Sequence, residues 1–224
     1  MYSVLVGPFM CRCLRCKSNI INSSLIPIIT QHMQLHGLQP ETLVAWEMST
    51  YGATLQFLKN NFSKTYESEY FPGIPSGEII NGVLAQDCTQ TSFGDESLDL
   101  VTSNQVLEHV PNFQAALTEV LRVLRPGGAF IFSVPLYNDK TRQIAELDGT
   151  QKLVFFGEPE FHDSRIGGPK SAPVFWRHGT QDVIEIIESL GFESKLVDIW
   201  VTDVQRQPMR VIYARKLPKI GSKI

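Results

Sequence analysis

Three acidic side chains close successive apolar runs of this chain: Glu47, Glu69 and Asp87. Where such runs are strands of an open α/β sheet, a ligand lies beyond their carboxyl ends, at the point where strand order reverses. Acids in those places converge on one crevice. A carboxylate in the position of Glu69 can accept two hydrogen bonds from ribose hydroxyls. The carboxylate of Asp87, with the backbone amide of Cys88 beside it, can accept from an adenine amino group. A single strand-end carboxylate is usually just solvated, so the ordered series carries the signal. The turn Glu47-Met48-Ser49-Thr50-Tyr51-Gly52-Ala53 joins the first run to a helix. It would present backbone amides to a bound nucleoside or carboxylate, with Ser49 and Gly52 among the candidate binding residues.

His109 is the nearest candidate for a general base, a role needed only by acceptors of high pKa. A histidine in such a place more often makes a structural hydrogen bond, and His162 and His178 offer nothing better. Cys13-x2-Cys16 followed by His32-x3-His36 has zinc-finger spacing. Pro27 interrupts the helix such a finger needs, and its aromatic core residue is missing. Free thiols on an N-terminal arm are therefore expected, and no metal ligand is assigned.

The elements that must position these residues alternate between short apolar runs and amphipathic stretches, the pattern of βαβ units in a mainly parallel sheet. Strands are expected at 42–46, 64–70, 83–86, 98–103 and 129–134. A helix at 53–62 buries Leu55, Leu58 and Phe62, and one from Phe113 to Leu124 starts on Asn112 as N-cap. Arg125-Pro126-Gly127-Gly128 should stop that helix, with a glycine in the left-handed conformation. Residues 136–178 lack periodicity and read as an irregular insertion or lid. A helix over 180–190 and two adjacent antiparallel strands, 195–201 and 209–216, complete the pattern. Residues 1–40 hold no carboxylate and read as an appendage, two short helical pieces broken at Pro27.

The stretch Ser97-Leu98-Asp99-Leu100-Val101-Thr102-Ser103-Asn104-Gln105-Val106-Leu107-Glu108-His109-Val110, continued by Leu121-Arg122-Val123-Leu124-Arg125-Pro126-Gly127-Gly128 and a strand ending Val134-Pro135, resembles class I S-adenosylmethionine-dependent methyltransferases of the type 11 group. The resemblance covers residues 41–216, leaving 217–224 as a basic tail. It implies a Rossmann-like α/β fold, a mostly parallel seven-stranded sheet with an antiparallel edge strand. The implied cofactor is S-adenosyl-L-methionine. Glu47 and its turn would flank the methionine part, Glu69 the ribose, and Asp87 with Cys88 the adenine. Asn104 would lie beneath the cofactor, and Glu108-His109 matches the helix expected after the fourth strand.

The chain departs from the family's Glu-x-Gly-x-Gly at Ser49 and Tyr51. A side chain forced into left-handed backbone costs about 1–2 kcal/mol, and Tyr51 could intrude on the methionine site. The implied activity is methyl transfer to an acceptor the sequence does not identify. The alternative is a non-catalytic, cofactor-binding or interaction protein with a degenerate first turn. Phe155, Phe156, Phe161, Phe175 and Trp176 either cover the acceptor or anchor the insertion to the core.

Composition excludes several classes. The 224 residues are 43% hydrophobic and 19% charged, too apolar for a disordered chain. Twenty basic against 23 acidic residues leave a formal charge of −3, with no field pointing to nucleic acid or an acidic membrane. No run approaches the roughly 18 apolar residues of a membrane span. Four cysteines cannot form a disulfide scaffold, and a reducing cytoplasm is expected.

Overall fold

The structure is a computed structural model that describes residues 2–3, 12–13, 18–164, 166–202 and 205–218. Seven strands form its centre: β1 (Val44–Glu47), β2 (Lys64–Glu69), β3 (Val83–Ala85), β4 (Leu98–Asn104), β5 (Leu124–Ser133), β6 (Phe192–Ile199) and β7 (Met209–Lys216). They lie in the order β6-β7-β5-β4-β1-β2-β3, and the short strand Ile79–Ile80 adds an eighth at the β3 edge. Strands β1 to β5 pair in parallel, while β7 runs antiparallel to both β5 and β6. The order of the chain reverses between β1 and β4, so the crevice at their carboxyl ends is the expected ligand position.

Alternation along the central strands divides the core into two layers, because successive side chains point to opposite faces. Val101, Phe130 and Phe132 face α3 (Phe113–Val123) and α4 (Val183–Ser189), meeting Leu117, Val120 and Ile187. Leu100, Ala129 and Ile131 face the other way, toward Leu25 and Ile29 of α1 (Leu25–Leu35) and Leu58 of α2 (Ala53–Asn61). Asn112 caps α3 as its type predicts, accepting from the Ala115 amide at 3.0 Å. Asp99, which breaks the alternation of β4, accepts from the Val44 amide at 2.8 Å and pairs with Arg125.

Three expectations need correction. Residues 20–35 are a layer of the core rather than an appendage, since Leu25, Ile28, Ile29 and Met33 are buried against the sheet. The break between Ile20–Ser23 and α1 falls at Ser24, not Pro27. Pro27 sits in the first turn of α1, where a backbone amide has no intrahelical acceptor to lose. Helix α3 stops before the Arg125-Pro126-Gly127-Gly128 segment, which lies inside β5. Gly127 takes φ +86° there, and a Cβ on Gly128 would stand 2.8 Å from the Asp99 carbonyl oxygen. Those glycines serve an irregular pairing with β4, not a helix cap.

The segment 136–178 is built of short strands rather than irregular chain. Ala145–Leu147 pairs with Leu153–Phe155, Phe161–Ser164 with Gly168–Pro173, and Trp176–Gly179 with both Leu136–Tyr137 and Arg142–Gln143. It docks on the turn after β4. The Phe175 amide donates to the Glu108 carbonyl at 2.8 Å, and the Trp176 indole to the Pro111 carbonyl at 3.0 Å. Among the described residues no helix is long and apolar enough to cross a membrane.

Candidate functional site

The carboxyl ends of β1, β2 and β3 surround a cavity of about 130 Å³. Glu69, Asp87, Cys88 and His109 line it, together with Trp46, Met48, Tyr70 and Val106. Parallel pairing of β1 with β2 and of β2 with β3 brings the acids together, because each strand ends at the same side of the sheet. Glu47 is fully buried beside this cavity rather than on its wall. Thr102 donates a short hydrogen bond to its Oε2, and Ser49 donates to its Oε1 at 2.9 Å. Burial pushes the Glu47 carboxyl up to about 7; the two hydroxyls oppose that rise, and the charge of Glu69 adds to it.

Hydroxyls also organise the other two acids. Glu69 Oε1 accepts from the Thr50 hydroxyl at 2.6 Å and from the Thr50 amide at 3.2 Å, tying the first turn to the end of β2. Asp87 Oδ1 accepts from the Thr89 amide at 2.8 Å and its hydroxyl at 2.6 Å, closing a local turn. In both, the second carboxylate oxygen carries no hydrogen bond to a described residue. Burial raises the Cys88 thiol to about 12, so it stays protonated.

The first turn does not carry the expected strain. Among residues 47–53 only Gly52 has a positive φ, +104°, so Ser49 and Tyr51 stand in backbone that any residue adopts. Tyr51 is 50% exposed and does not line the cavity. Gly52 precedes α2 as its N-cap, and a Cβ there would press on the side chain of Asn22 at 3.2 Å.

Asn104 does not join the small cavity: at the end of β4 its Oδ1 accepts from the Ser133 hydroxyl at 3.0 Å. The next residue, Gln105, takes φ +55° and lines a second, larger cavity of about 1110 Å³ with Val134, Leu136, Tyr137, Phe161, His162 and Met209. A 3-10 turn, Leu107–His109, stands where a helix was expected. His109 Nδ1 donates to the Pro173 carbonyl at 2.7 Å, since a carbonyl oxygen can only accept. Burial holds the His109 pKa below the usual histidine value, the Pro173 contact opposing and His162 adding.

Of the aromatics in 136–178, Phe175 is buried and Trp176 packs edge-on to Phe113 at 4.8 Å, so both anchor the segment. Phe161 faces the large cavity and Phe155 packs on it at 5.2 Å. The zinc-spaced set does not assemble among the described residues. His32 Nδ1 is bonded to the Tyr213 hydroxyl at 3.0 Å, and Cys13 joins no group of three possible ligands. Cys16 lies outside the described residues.

An open sheet of this order, with acids at its strand tips and a single bare turn after β1, has a clear counterpart. Residues 49–132 match the family model of a methyltransferase domain. This chain has the class I S-adenosylmethionine-dependent methyltransferase fold. A Burkholderia thailandensis 1,6-didemethyltoxoflavin-N1-methyltransferase, solved with its substrate and S-adenosylhomocysteine, superposes with a TM-score of 0.54. The match covers 88% of this chain and 79% of that one at 13% identity. A Mycobacterium ulcerans phthiotriol/phenolphthiotriol dimycocerosates methyltransferase is 27% identical over 122 residues, 49% of this chain and 44% of that protein. A Mycobacterium tuberculosis demethylmenaquinone methyltransferase is 47% identical over 55 residues, 23% of this chain and 24% of that protein. The chain thus spans less than half the length of the curated relatives it matches.

The methyltransferase fold makes S-adenosylmethionine the cofactor to test against these residues. The group is a sulfonium with an ammonium, and the pocket wall is anionic. The charge of Glu69 reaches the buried Glu47, and neither has an ion-pair partner among the described residues. A cation beside Glu47 would favour its charged form, which burial alone disfavours. The residues fit the group.

Proposed function

We propose that the protein is an S-adenosylmethionine-dependent methyltransferase acting on a small molecule. The observation that carries this reading is the convergence of Glu69, Asp87 and Cys88 on one cavity, with Glu47 buried beside it. The cofactor, when bound, supplies an already activated methyl group on sulfur. The chain's own work is then to bind, orient and exclude water. Glu69 would offer Oε2 to the ribose hydroxyls, with Thr50 holding the carboxylate in place. Asp87 Oδ2 and the Cys88 amide would frame the adenine. Glu47 would meet the cationic methionine end, in contact with Ser49 of the turn.

The acceptor would enter through the larger cavity. Its wall combines Val134, Leu136, Phe161 and Met209 with Tyr137 and His162, suiting a molecule with an extended apolar part and a polar reacting end. The segment 136–178 would serve as the lid. Cys88 keeps a free thiol, in keeping with a reducing cytoplasmic setting.

Calorimetric titration with S-adenosylhomocysteine tests the reading. Binding is expected in the intact protein and is expected to weaken about tenfold in Glu69→Ala. Absence of both heat and a thermal shift at millimolar ligand would overturn it. The rival, a non-catalytic protein, was motivated by the lost glycines, and the ordinary backbone at Ser49 and Tyr51 removes that motive.

A further inference from the structure

Among the described residues one buried acid is left without a hydrogen bond on either oxygen. Glu108 is 1% exposed, and both its carboxylate oxygens lack a hydrogen bond to a described residue. Such a group is costly unless it is neutralised, paired or bound to a metal. Two imidazole nitrogens face it. His109 Nε2 stands 3.8 Å from Glu108 Oε1, and His162 Nδ1 stands 3.9 Å from the same oxygen. The two nitrogens are 3.2 Å apart.

These separations suit one ion. Ligand atoms about 2.0–2.2 Å from a common metal stand roughly 3–3.5 Å from one another, whether the geometry is tetrahedral or octahedral. The imidazole pair is already at that distance, and the carboxylate needs a shift of about half an ångström. The orientation of His109 is fixed as a ligand requires. Its Nδ1–H is held by the Pro173 carbonyl at 2.7 Å, which leaves the Nε2 lone pair pointing into the cluster. Glu160 stands 3.7 Å from His162 Nε2, on the far side of that ring, in the outer-sphere place that often orients a ligating histidine.

We infer that Glu108, His109 and His162 form a binding site for a divalent transition-metal ion. Two imidazoles and one carboxylate suit zinc, iron, cobalt and nickel rather than magnesium or calcium, which prefer oxygen. Among the described residues this is the one group of three possible ligands that comes together. The ion would sit in the wall between the two cavities, because His109 lines the small one and His162 the large one. The inference rests on this geometry alone and holds whatever fills the small cavity.

Cobalt(II) is the probe, since its visible absorption reports coordination directly. Titration of the metal-stripped, full-length protein should give a saturable visible band at one ion per chain, and excess zinc(II) should abolish it. Glu108→Gln keeps the side-chain shape, and His162→Ala removes a partly exposed ring. Each should weaken binding by at least about 10–100-fold, the loss that removing even an outer-sphere partner causes. Glu160→Gln should weaken it less. The double variant Cys13→Ser, His36→Ala should bind as the parent does. Circular dichroism of each variant separates loss of the site from loss of the fold. No band at millimolar cobalt, a band unchanged in both Glu108→Gln and His162→Ala, or one lost with Cys13 and His36 would each overturn the inference. Binding of S-adenosylhomocysteine by the same samples is a separate readout: its failure alone overturns the proposed function and leaves the metal site standing.

Discussion

Two glutamates at the carboxyl ends of neighbouring strands, one closing β1 and one in the turn after β4, are equally buried and are treated in opposite ways. Glu47, at the end of β1, is buried with a hydroxyl on each oxygen. Glu108, in the turn after β4, is buried with no hydrogen bond from a described residue on either. The first turn is closed on itself: Ser49 serves Glu47, Thr50 serves Glu69, and beyond β3 Thr89 serves Asp87. The turn after β4 supplies no such hydroxyl to its acid. Both glutamates are held above the ordinary carboxylate range, chiefly by burial, Glu47 up to about 7 and Glu108 up to about 8. A buried acid held by neighbouring hydroxyls is already satisfied within the fold, whereas one without them needs an explanation, which the inferred metal ion supplies.

The largest effect expected from this contrast is in pH dependence. Glu47 has a folded pKa raised to about 7 from an ordinary 4.5. Its neutral form is therefore favoured in the fold: the benefit is full below pH 4.5 and is lost as pH rises toward 7. Across that window the wild type should lose about 3 kcal/mol through this group, at 1.36 kcal/mol per unit. Glu47→Gln should remove the slope. Urea unfolding at pH 5 and pH 8 measures it, and equal slopes in variant and wild type would show that the first turn is not closed around a buried acid.

Next in size is Thr102→Val, which keeps the shape of the β4 side chain and deletes the donor to Glu47 Oε2. A hydrogen bond to a charged group contributes about 1.5–3 kcal/mol, so the variant should be destabilised by about 2 kcal/mol at pH 8. The loss should shrink at pH 5, where Glu47 is neutral. A pH-independent loss would point to packing instead.

How much of this could be read from the residues follows from how local each signal is. Strands β1 to β5 and helix α3 were legible because alternation and 3.6-residue spacing are properties of neighbouring positions. So were the three acids, which sit at strand ends. Helix α1 is hidden in the sequence because Pro27 looks like a breaker anywhere except in a first turn, and the sequence does not say where the turn begins. The strain assigned to Ser49 and Tyr51 assumed that the family's glycines mark left-handed backbone; the chain instead takes its one left-handed step at Gly52. His162 was invisible as a partner of Glu108 and His109. It arrives from 53 positions downstream of His109, on a strand in a segment with no periodicity.

Glu69→Ala comes third and acts on two scales at once. The side chain is partly exposed and holds the Thr50 amide and hydroxyl. Its loss should cost about 1 kcal/mol of stability, within the range for ordinary intramolecular hydrogen bonds. On the proposed function it should also lower the affinity for S-adenosylhomocysteine about tenfold, roughly 1.4 kcal/mol. Thr50→Val separates the parts, because it keeps the carboxylate and removes the hydroxyl that aims it. An affinity loss in Glu69→Ala without any in Thr50→Val would leave Glu69 as a ligand that needs no aiming, and the first turn would be less closed than its hydrogen bonds suggest.

The smallest expected effect is also the sharpest test of the first turn. Tyr51→Gly restores a glycine at one of the two departures from the family pattern. Were Tyr51 strained or blocking, the change would raise both stability and cofactor affinity. Its φ is not positive, and half of its surface is exposed away from the small cavity. A glycine there gains nothing in the fold and gives the unfolded chain more conformations to lose. The variant should therefore be destabilised by about 0.5–1 kcal/mol, with affinity for S-adenosylhomocysteine unchanged. Tighter binding would mean that the phenol ring reaches the methionine end of the cleft in solution, and that the turn after β1 is the unfinished half of the site.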